Sequence, residues 1–198
     1  MDLGGKHIIL GSNSPRRREL LKGLDIDFEV DTGNDFEESF GPDVPYSEVP
    51  LLMSQGKSHG FHRPLGPDEI LITADTMVIL PPADGRPGEI LGKPHSREEA
   101  VRMLQDLSGR MHHVTTAVTL RDARREESFT CTTEVWFKPL SAEEIDYYVD
   151  TYKPFDKAGA YAIQEWIGHI GITRIEGSYF NVVGFPVQRV YEHLLKFL

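Results

Sequence analysis

A chain of 198 residues with 21 Lys and Arg against 31 Asp and Glu carries a formal charge of −10. That acidity argues against broad polynucleotide binding, which needs a basic surface to release counterions, yet leaves room for a small anion held by a few local cations. A hydrophobic share of 39% supports a packed single domain over residues 1–198, and one cysteine, Cys131, excludes a disulfide framework or a Cys-rich zinc site.

The N-terminal residues lack a long apolar h-region and no apolar run could span a bilayer, so a cytoplasmic protein without membrane partners is expected. Residues 7–10 read as a short buried strand entering Gly11-Ser12-Asn13-Ser14. Ser14 suits an N-cap and Pro15 the first position of a helix over 15–22 that Gly23 ends, with Leu20 and Leu21 turned inward. Residues 27–30 form a second strand, and 47–61 a helix with Lys57 near its end. Residues 70–75 and 77–80 are extended and apolar, and Asp84-Gly85 signals a turn.

Ser96-Arg97-Glu98-Glu99 is a capping box opening a helix to residue 107, with Val101, Leu104 and Leu107 as its inner stripe. Residues 114–120 and 129–137 read as antiparallel strands around an Arg-rich loop at 121–125. A second capping box, Ser141 with Glu144, starts a helix ending near residue 152. The last helix begins at Pro186, with Val187, Val190, Tyr191, Leu194, Leu195 and Leu198 on one face. Helices interspersed with buried and hairpin-like strands predict an α/β fold with a mixed sheet.

Six segments could carry chemistry. Ser12-Asn13-Ser14-Pro15-Arg16-Arg17 joins a strand to a helix N-terminus, where free N–H groups, hydroxyls and guanidinium forks suit a phosphate. A capped helix with a solvated basic face explains it equally well. Thr73-Ala74-Asp75-Thr76 puts a carboxylate at the end of an apolar strand, where it could bind a divalent metal or activate water, although taken alone a turn-initiating Asp is the commoner reading. The acidic stretch from Asp35 to Glu38 could add a second carboxylate, and Lys57 and Lys93 are further cations. Residues 153–164 are rich in small residues permitting close backbone approach, with Gln164 able to read a base edge; residues 177–186 could wrap a ligand or only cap the last helix. No Walker A motif, nucleophile elbow or zinc-type histidine spacing occurs.

The order of these segments resembles the Maf family of nucleotide pyrophosphatases over nearly the whole length. It rests on Ser12 to Arg17, Lys57, Ala74-Asp75-Thr76, Gly92-Lys93-Pro94 and 108–115, together with 156–164 and 177–184. The resemblance implies hydrolysis of a nucleoside triphosphate to monophosphate and pyrophosphate, with Mg²⁺ or Mn²⁺ as cofactor. It implies Asp75 as the catalytic proton acceptor, and a metal held by Glu38, the better match in a variable loop that also offers Glu37, with Asp75. Phosphate contacts fall to Ser12, Ser14, Arg16, Arg17, Lys57 and Lys93. Arg16, Thr76 and Gln164 match the markers of the branch acting on dTTP and UTP. Two positions depart from the pattern: Glu165 stands where many members have Gly, and Phe180 where many have Ser; both bear on the base pocket. The implied fold is an elongated mixed sheet flanked by helices with a cleft between two lobes, as in the inosine triphosphate pyrophosphatases, and members are often homodimers. The rival reading is a nucleotide-binding regulator of septum formation with little turnover, against which the full set of Arg16, Lys57, Asp75 and Lys93 speaks.

Overall fold

The computed structural model describes residues 3–41, 43–83 and 88–198, so the turn read at Asp84-Gly85 lies outside the described residues. In chain order the elements are β1 (His7–Leu10), α1 (Pro15–Lys22), β2 (Phe28–Val30), α2 (Val49–His59), β3 (Glu69–Leu80), β4 (Glu89–Leu91), α3 (Arg97–Leu107), β5 (Met111–Arg121) and β6 (Glu126–Phe137). They continue with α4 (Ala142–Tyr152), a 3₁₀ turn at Ala158–Ala160, α5 (Trp166–Gly171), β7 (Ile172–Glu176), α6 (Tyr179–Val183) and α7 (Val187–Leu195). The strands form one mixed sheet in the order β2-β1-β3-β5-β6-β7, with β4 pairing β3. β1 is parallel to β2 and β3, whereas β4 on β3 and β7 on β6 are antiparallel. The fold is therefore the mixed α/β class that the strand–helix alternation predicts.

The chain divides into two compact units, Met1–Asp75 with Thr116–Cys131 and Gly184–Leu198, and Thr76–Thr115 with Thr132–Val183. In the first, Ile8, Ile9 and Leu10 are all buried, as expected of a parallel strand covered on both faces. Ile8, Leu10, Ile70 and Ile72 pack with Leu21 from α1 and with Val190 and Leu194 from α7. The buried stripe of α7 is narrower than its sequence pattern: Val187, Val190, Leu194 and, past the helix end, Phe197 are buried. Tyr191, Leu195 and Leu198 stay exposed, because 191 and 195 fall on the flank of a stripe centred nearer 190.

In the second unit α3 buries Ala100, Met103, Leu104 and Leu107 against Ile145, Tyr148 and Val149 of α4. Val101 only borders that core, so the inner stripe lies one step round from the expected one. Ser96 accepts the Glu99 amide at 3.1 Å, but the Glu99 carboxylate takes the His95 amide instead of completing the box. At α4 the box is reciprocal: Ser141 Oγ accepts the Glu144 amide and Glu144 accepts the Ser141 amide. Truncating a side chain such as Leu104 to Ala would cost about 2–5 kcal/mol.

One difference from the sequence reading bears on function. Residues 69–80 form a single strand, with Asp75 and Thr76 inside it. Aspartate is depleted in strands, so the pattern breaks there on paper, but the flanking Thr73, Thr76 and Val78 are β-branched and carry the strand through.

Candidate functional site

The parallel ladder of β1 on β3 runs from His7 opposite Glu69 to Leu10 opposite Ile72, and the Gly11 amide adds one bond to the Ile72 carbonyl at 2.9 Å. A side chain at Gly11 would crowd Thr73, its Cβ lying 3.0 Å from the threonine methyl, so a larger residue there would have to push that side chain aside. It then leaves the sheet through Ser12-Asn13-Ser14. Ser12 Oγ accepts the Ser14 amide at 3.2 Å, and Ser14 Oγ accepts the Arg17 amide at 3.4 Å, capping α1 as its sequence predicts. Each hydroxyl oxygen is thus fixed by an N–H while its own proton remains to donate.

β3 continues after β1 has left. Asp75 lies three residues past Ile72, at the carboxyl end of the parallel pair, the edge where α/β folds place ligands. One cation bridges it to a second carboxylate. Lys57, in the last turn of α2, brings Nζ to 2.6 Å from Asp75 Oδ1 and 3.0 Å from Glu38 Oε1. Lys57 and Asp75 are mostly buried, whereas the Glu38 side chain is 61% exposed.

Arg17 turns back beneath this group. Its Nη1 donates to the Ala74 carbonyl at 2.8 Å and to Ser12 Oγ at 3.4 Å, and its Nε donates to the Gly184 carbonyl at 3.0 Å. Burial lowers its pKa from the usual value, the Asp75 charge pulling it back and Arg16 adding repulsion.

The loop that carries Glu38 is anchored by residues the sequence reading passed over. Asn34 Nδ2 donates to the Lys57 carbonyl at 2.5 Å, and Asn34 Oδ1 accepts the Phe36 amide at 2.8 Å. The Asp35 amide donates to the Gly60 carbonyl at 2.8 Å. The Phe36 ring lies against Gly56 of α2, and the Phe36 Cβ and Asn34 Oδ1 lie against Gly60 at the helix end, so a Cβ at either glycine would overlap them. The one signal in the sequence was an aromatic residue inside an acidic run, with glycines at positions 56 and 60.

The first unit therefore brings together Ser12, Ser14, Arg17, Glu38, Lys57 and Asp75, with Arg16 half-buried on α1. Thr76, Lys93 and Gln164 belong to the second unit, where Thr76 is half-buried and the other two are exposed. There the Gly159 amide donates to the Gly92 carbonyl at 3.0 Å, tying the Lys93 loop to residues 158–160. Gly159 has φ +66° and sits so close to Val78 that a Cβ would lie 3.0 Å from its methyls, the close approach expected of that small-residue segment. Within residues 177–183, Asn181 is buried and donates to the Val114 carbonyl and to Thr133 Oγ1, whereas Tyr179 and Phe180 are exposed.

Among the described residues no group of three or more His, Cys, Asp or Glu forms a metal cluster. The pair that the sequence marks for a metal, Glu38 and Asp75, nonetheless points its oxygens at one cation, the Lys57 ammonium. Two hard carboxylates facing one point suit Mg²⁺ or Mn²⁺, which commonly take one or two carboxylates together with substrate phosphates and water. No helix among the described residues is long and apolar enough to cross a membrane.

Comparison with known proteins gives the family and the fold. The family described as Maf-like protein matches residues 7–197. A dTTP/UTP pyrophosphatase of Phocaeicola vulgatus is 50% identical over 189 residues, 96% of this chain and 95% of its own. Proteins of the same name from Bacteroides thetaiotaomicron and Porphyromonas gingivalis are 49% and 47% identical over 96% of the chain, and 95% and 94% of their own lengths. The solved structure of the Staphylococcus aureus Ham1 protein shares the fold, with a TM-score of 0.50 at 16% identity, covering 95% of this chain and 100% of that one. With the motif residues placed as above and half of all positions shared with the first of these relatives, the chain belongs to the Maf-like protein family.

Proposed function

We propose that the chain hydrolyses dTTP and UTP to the nucleoside monophosphate and pyrophosphate, by attack of water on the α-phosphorus. The observation that carries this reading is the Lys57–Asp75 contact of 2.6 Å at the carboxyl end of the parallel strands, beside the N-terminus of α1. The names of the relatives support the substrate. Asp75 accepts the proton of the attacking water; a new P–O bond forms, the bond between the α-phosphorus and the bridging oxygen breaks, and that oxygen leaves with pyrophosphate. Glu38 and Asp75 would hold the divalent metal, which supplies charge neutralisation on phosphate oxygens and a more acidic water.

The other residues position and neutralise. Lys57, paired with Asp75 and Glu38, offers its ammonium to the incoming triphosphate. Ser12 and Ser14 donate hydroxyl protons, and Arg16 a guanidinium, to phosphate oxygens at the positive end of α1. Arg17, whose Nε and Nη1 already bind carbonyls, acts in this reading by fixing the Ala74–Asp75 peptide against α1. On the family's pattern, Lys93 serves the leaving pyrophosphate, and Thr76 and Gln164 read the pyrimidine edge.

The test is a panel of the common and several modified triphosphates with the purified chain and Mg²⁺ or Mn²⁺, measuring pyrophosphate and monophosphate. Pyrophosphate released fastest from dTTP and UTP is expected. Orthophosphate as the product would make the chain a phosphatase, and nucleotide binding without turnover would make it a regulator.

A further inference from the structure

Gln164 is exposed, yet the chain on both sides of it is tied down by buried groups of the second unit. On the N-terminal side, the Ala162 amide donates to the Tyr148 hydroxyl at 3.2 Å. On the C-terminal side, that hydroxyl donates to Glu165 Oε2. Glu165 Oε1 lies 3.3 Å from Lys157 Nζ, which also binds Asp156 Oδ1 at 2.7 Å. The Glu165 amide closes the turn on the Ala162 carbonyl at 3.1 Å, and the Glu165 carbonyl accepts the amides of Gly168 and His169 at the start of α5. Gly168 meets the Ile163 carbonyl so closely that any Cβ would overlap it. One phenol thus bridges the residues two before and one after Gln164.

Tyr148 is fully buried, and the Lys157 side chain is only 10% exposed. A half-satisfied network of this kind would be expensive, so its members hold one another in a single arrangement. Burial, with Glu165 as hydrogen-bond acceptor, raises the Tyr148 pKa, so the phenol keeps its proton and donates throughout the working pH range.

We infer that Tyr148, Glu165 and Lys157 are positioning residues for base selection, fixing the 162–165 turn that presents Gln164 and thereby setting the preference for uracil and thymine. The inference rests on the proposed reading in which Gln164 meets the base. A loosened turn still admits a nucleotide, but its amide no longer meets the base edge in one geometry, so discrimination falls before turnover does.

The experiment compares kcat and KM for UTP, dTTP and CTP in the full chain and four variants. Tyr148→Phe removes the bridging hydroxyl and keeps the ring. Glu165→Gln keeps an acceptor for Tyr148 and removes the charge facing Lys157. Gln164→Ala removes the reading group, and Val149→Ala opens a cavity in the same helix without removing a hydrogen-bonding group of the clamp. Hydrogen exchange at the Ala162 amide is read alongside. Tyr148→Phe is expected to lower the UTP-to-CTP ratio of kcat/KM about tenfold, through KM for UTP, and to speed exchange at Ala162, with Glu165→Gln intermediate. Val149→Ala should lower thermal stability and leave the ratio unchanged. If Gln164→Ala collapses the ratio while Tyr148→Phe and Glu165→Gln leave it intact, the clamp is overturned and the base reading stands. If Tyr148→Phe weakens every nucleotide equally, as a purely structural change would, the clamp is also overturned. If Gln164→Ala leaves the ratio unchanged, the base reading falls and the inference with it.

Discussion

Arg17 Nη1 donates to the carbonyl of Ala74 at 2.8 Å, one peptide bond before Asp75. The same guanidinium reaches the Gly184 carbonyl and Ser12 Oγ, so one side chain ties β3, the loop after β1 and the residue before Phe185-Pro186 together. Arg17→Lys keeps the charge but cannot reproduce a planar fork that spans these acceptors. Hydrogen bonds to a charged group are worth about 1.5–3 kcal/mol each, so the melting temperature should fall by roughly 4–8 °C. The kcat should fall about tenfold with KM for dTTP little changed. Calorimetry and steady-state kinetics on one preparation decide this: a raised KM with unchanged kcat and stability would make Arg17 a phosphate clamp instead.

Asp75 differs from Arg17 in that its loss should be chemical. Asp75→Asn preserves size and strand geometry, removes the proton acceptor and leaves Lys57 with Glu38 as its carboxylate partner. The expected loss in kcat is about 10²-fold or more. Pyrophosphate release under saturating UTP is the measurement. Turnover close to that of the unaltered chain would remove Asp75 from the role of base.

The elements around this site differ in how far they could be read from the sequence. β1, α1 and the Ser14 cap follow from local pattern, because a buried apolar strand and an Ser-Pro helix start are signalled by adjacent residues. Asp75 was legible as a candidate, but its place inside a twelve-residue strand was not, since strand continuity is decided by the neighbouring strands and not by Asp75 itself. β4 and β7 are three and five residues long and carry weak alternation, too short for a periodic signal. Arg17 reads as one of three basic residues in a row; only tertiary contacts show that its guanidinium is turned inward to carbonyls. The anchoring of Glu38 through Asn34 and Phe36 was hidden for the same reason, because Gly56 and Phe36 meet only after α2 has folded.

That anchoring can be tested without touching a charged residue. Gly56→Ala places a methyl where the Phe36 ring now lies, so the ring and the loop bearing Glu38 must shift. If Glu38 serves the divalent cation, the variant should need several-fold more Mg²⁺ or Mn²⁺ for half-maximal rate, while its rate at saturating metal stays within about threefold. Metal titration at fixed UTP measures this. Gly41→Ala, in the following stretch where a Cβ would meet nothing within 4 Å, should leave the titration unchanged. A Gly56→Ala protein with the metal dependence of the unaltered chain would separate Glu38 from metal binding.

The buried histidine of β5 sets an acid limit on stability. His112 is fully buried, shares a 2.7 Å hydrogen bond with the Tyr161 hydroxyl through Nε2, and has no partner at Nδ1. Burial pushes its pKa down to about 3, with the nearby His113 adding to the shift, from the ordinary 6.5 of the unfolded chain. Between those values the unfolded chain binds a proton that the folded chain does not. Stability from this group is therefore complete above about pH 6.5 and is lost as pH falls, on the order of 1 kcal/mol for each pH unit. Carboxylates held below their usual range, such as Asp31 and Glu127, contribute a slope of the same sign, but only nearer pH 4. Urea unfolding at pH 7.5, 6.5, 5.5 and 5.0 stays above the carboxylate range, and because His59, His62, His113 and His193 also face carboxylates, the contribution of His112 is read from the difference between the unaltered chain and His112→Gln. The unaltered chain should show a midpoint that falls across this window. His112→Gln, which can still bond Tyr161 but cannot titrate, should show a lower midpoint at pH 7.5 and a flatter line toward pH 5. Parallel lines for the two proteins would mean that His112 takes up its proton as readily in the folded chain as in the unfolded one, and that the buried pair is not what limits stability in acid.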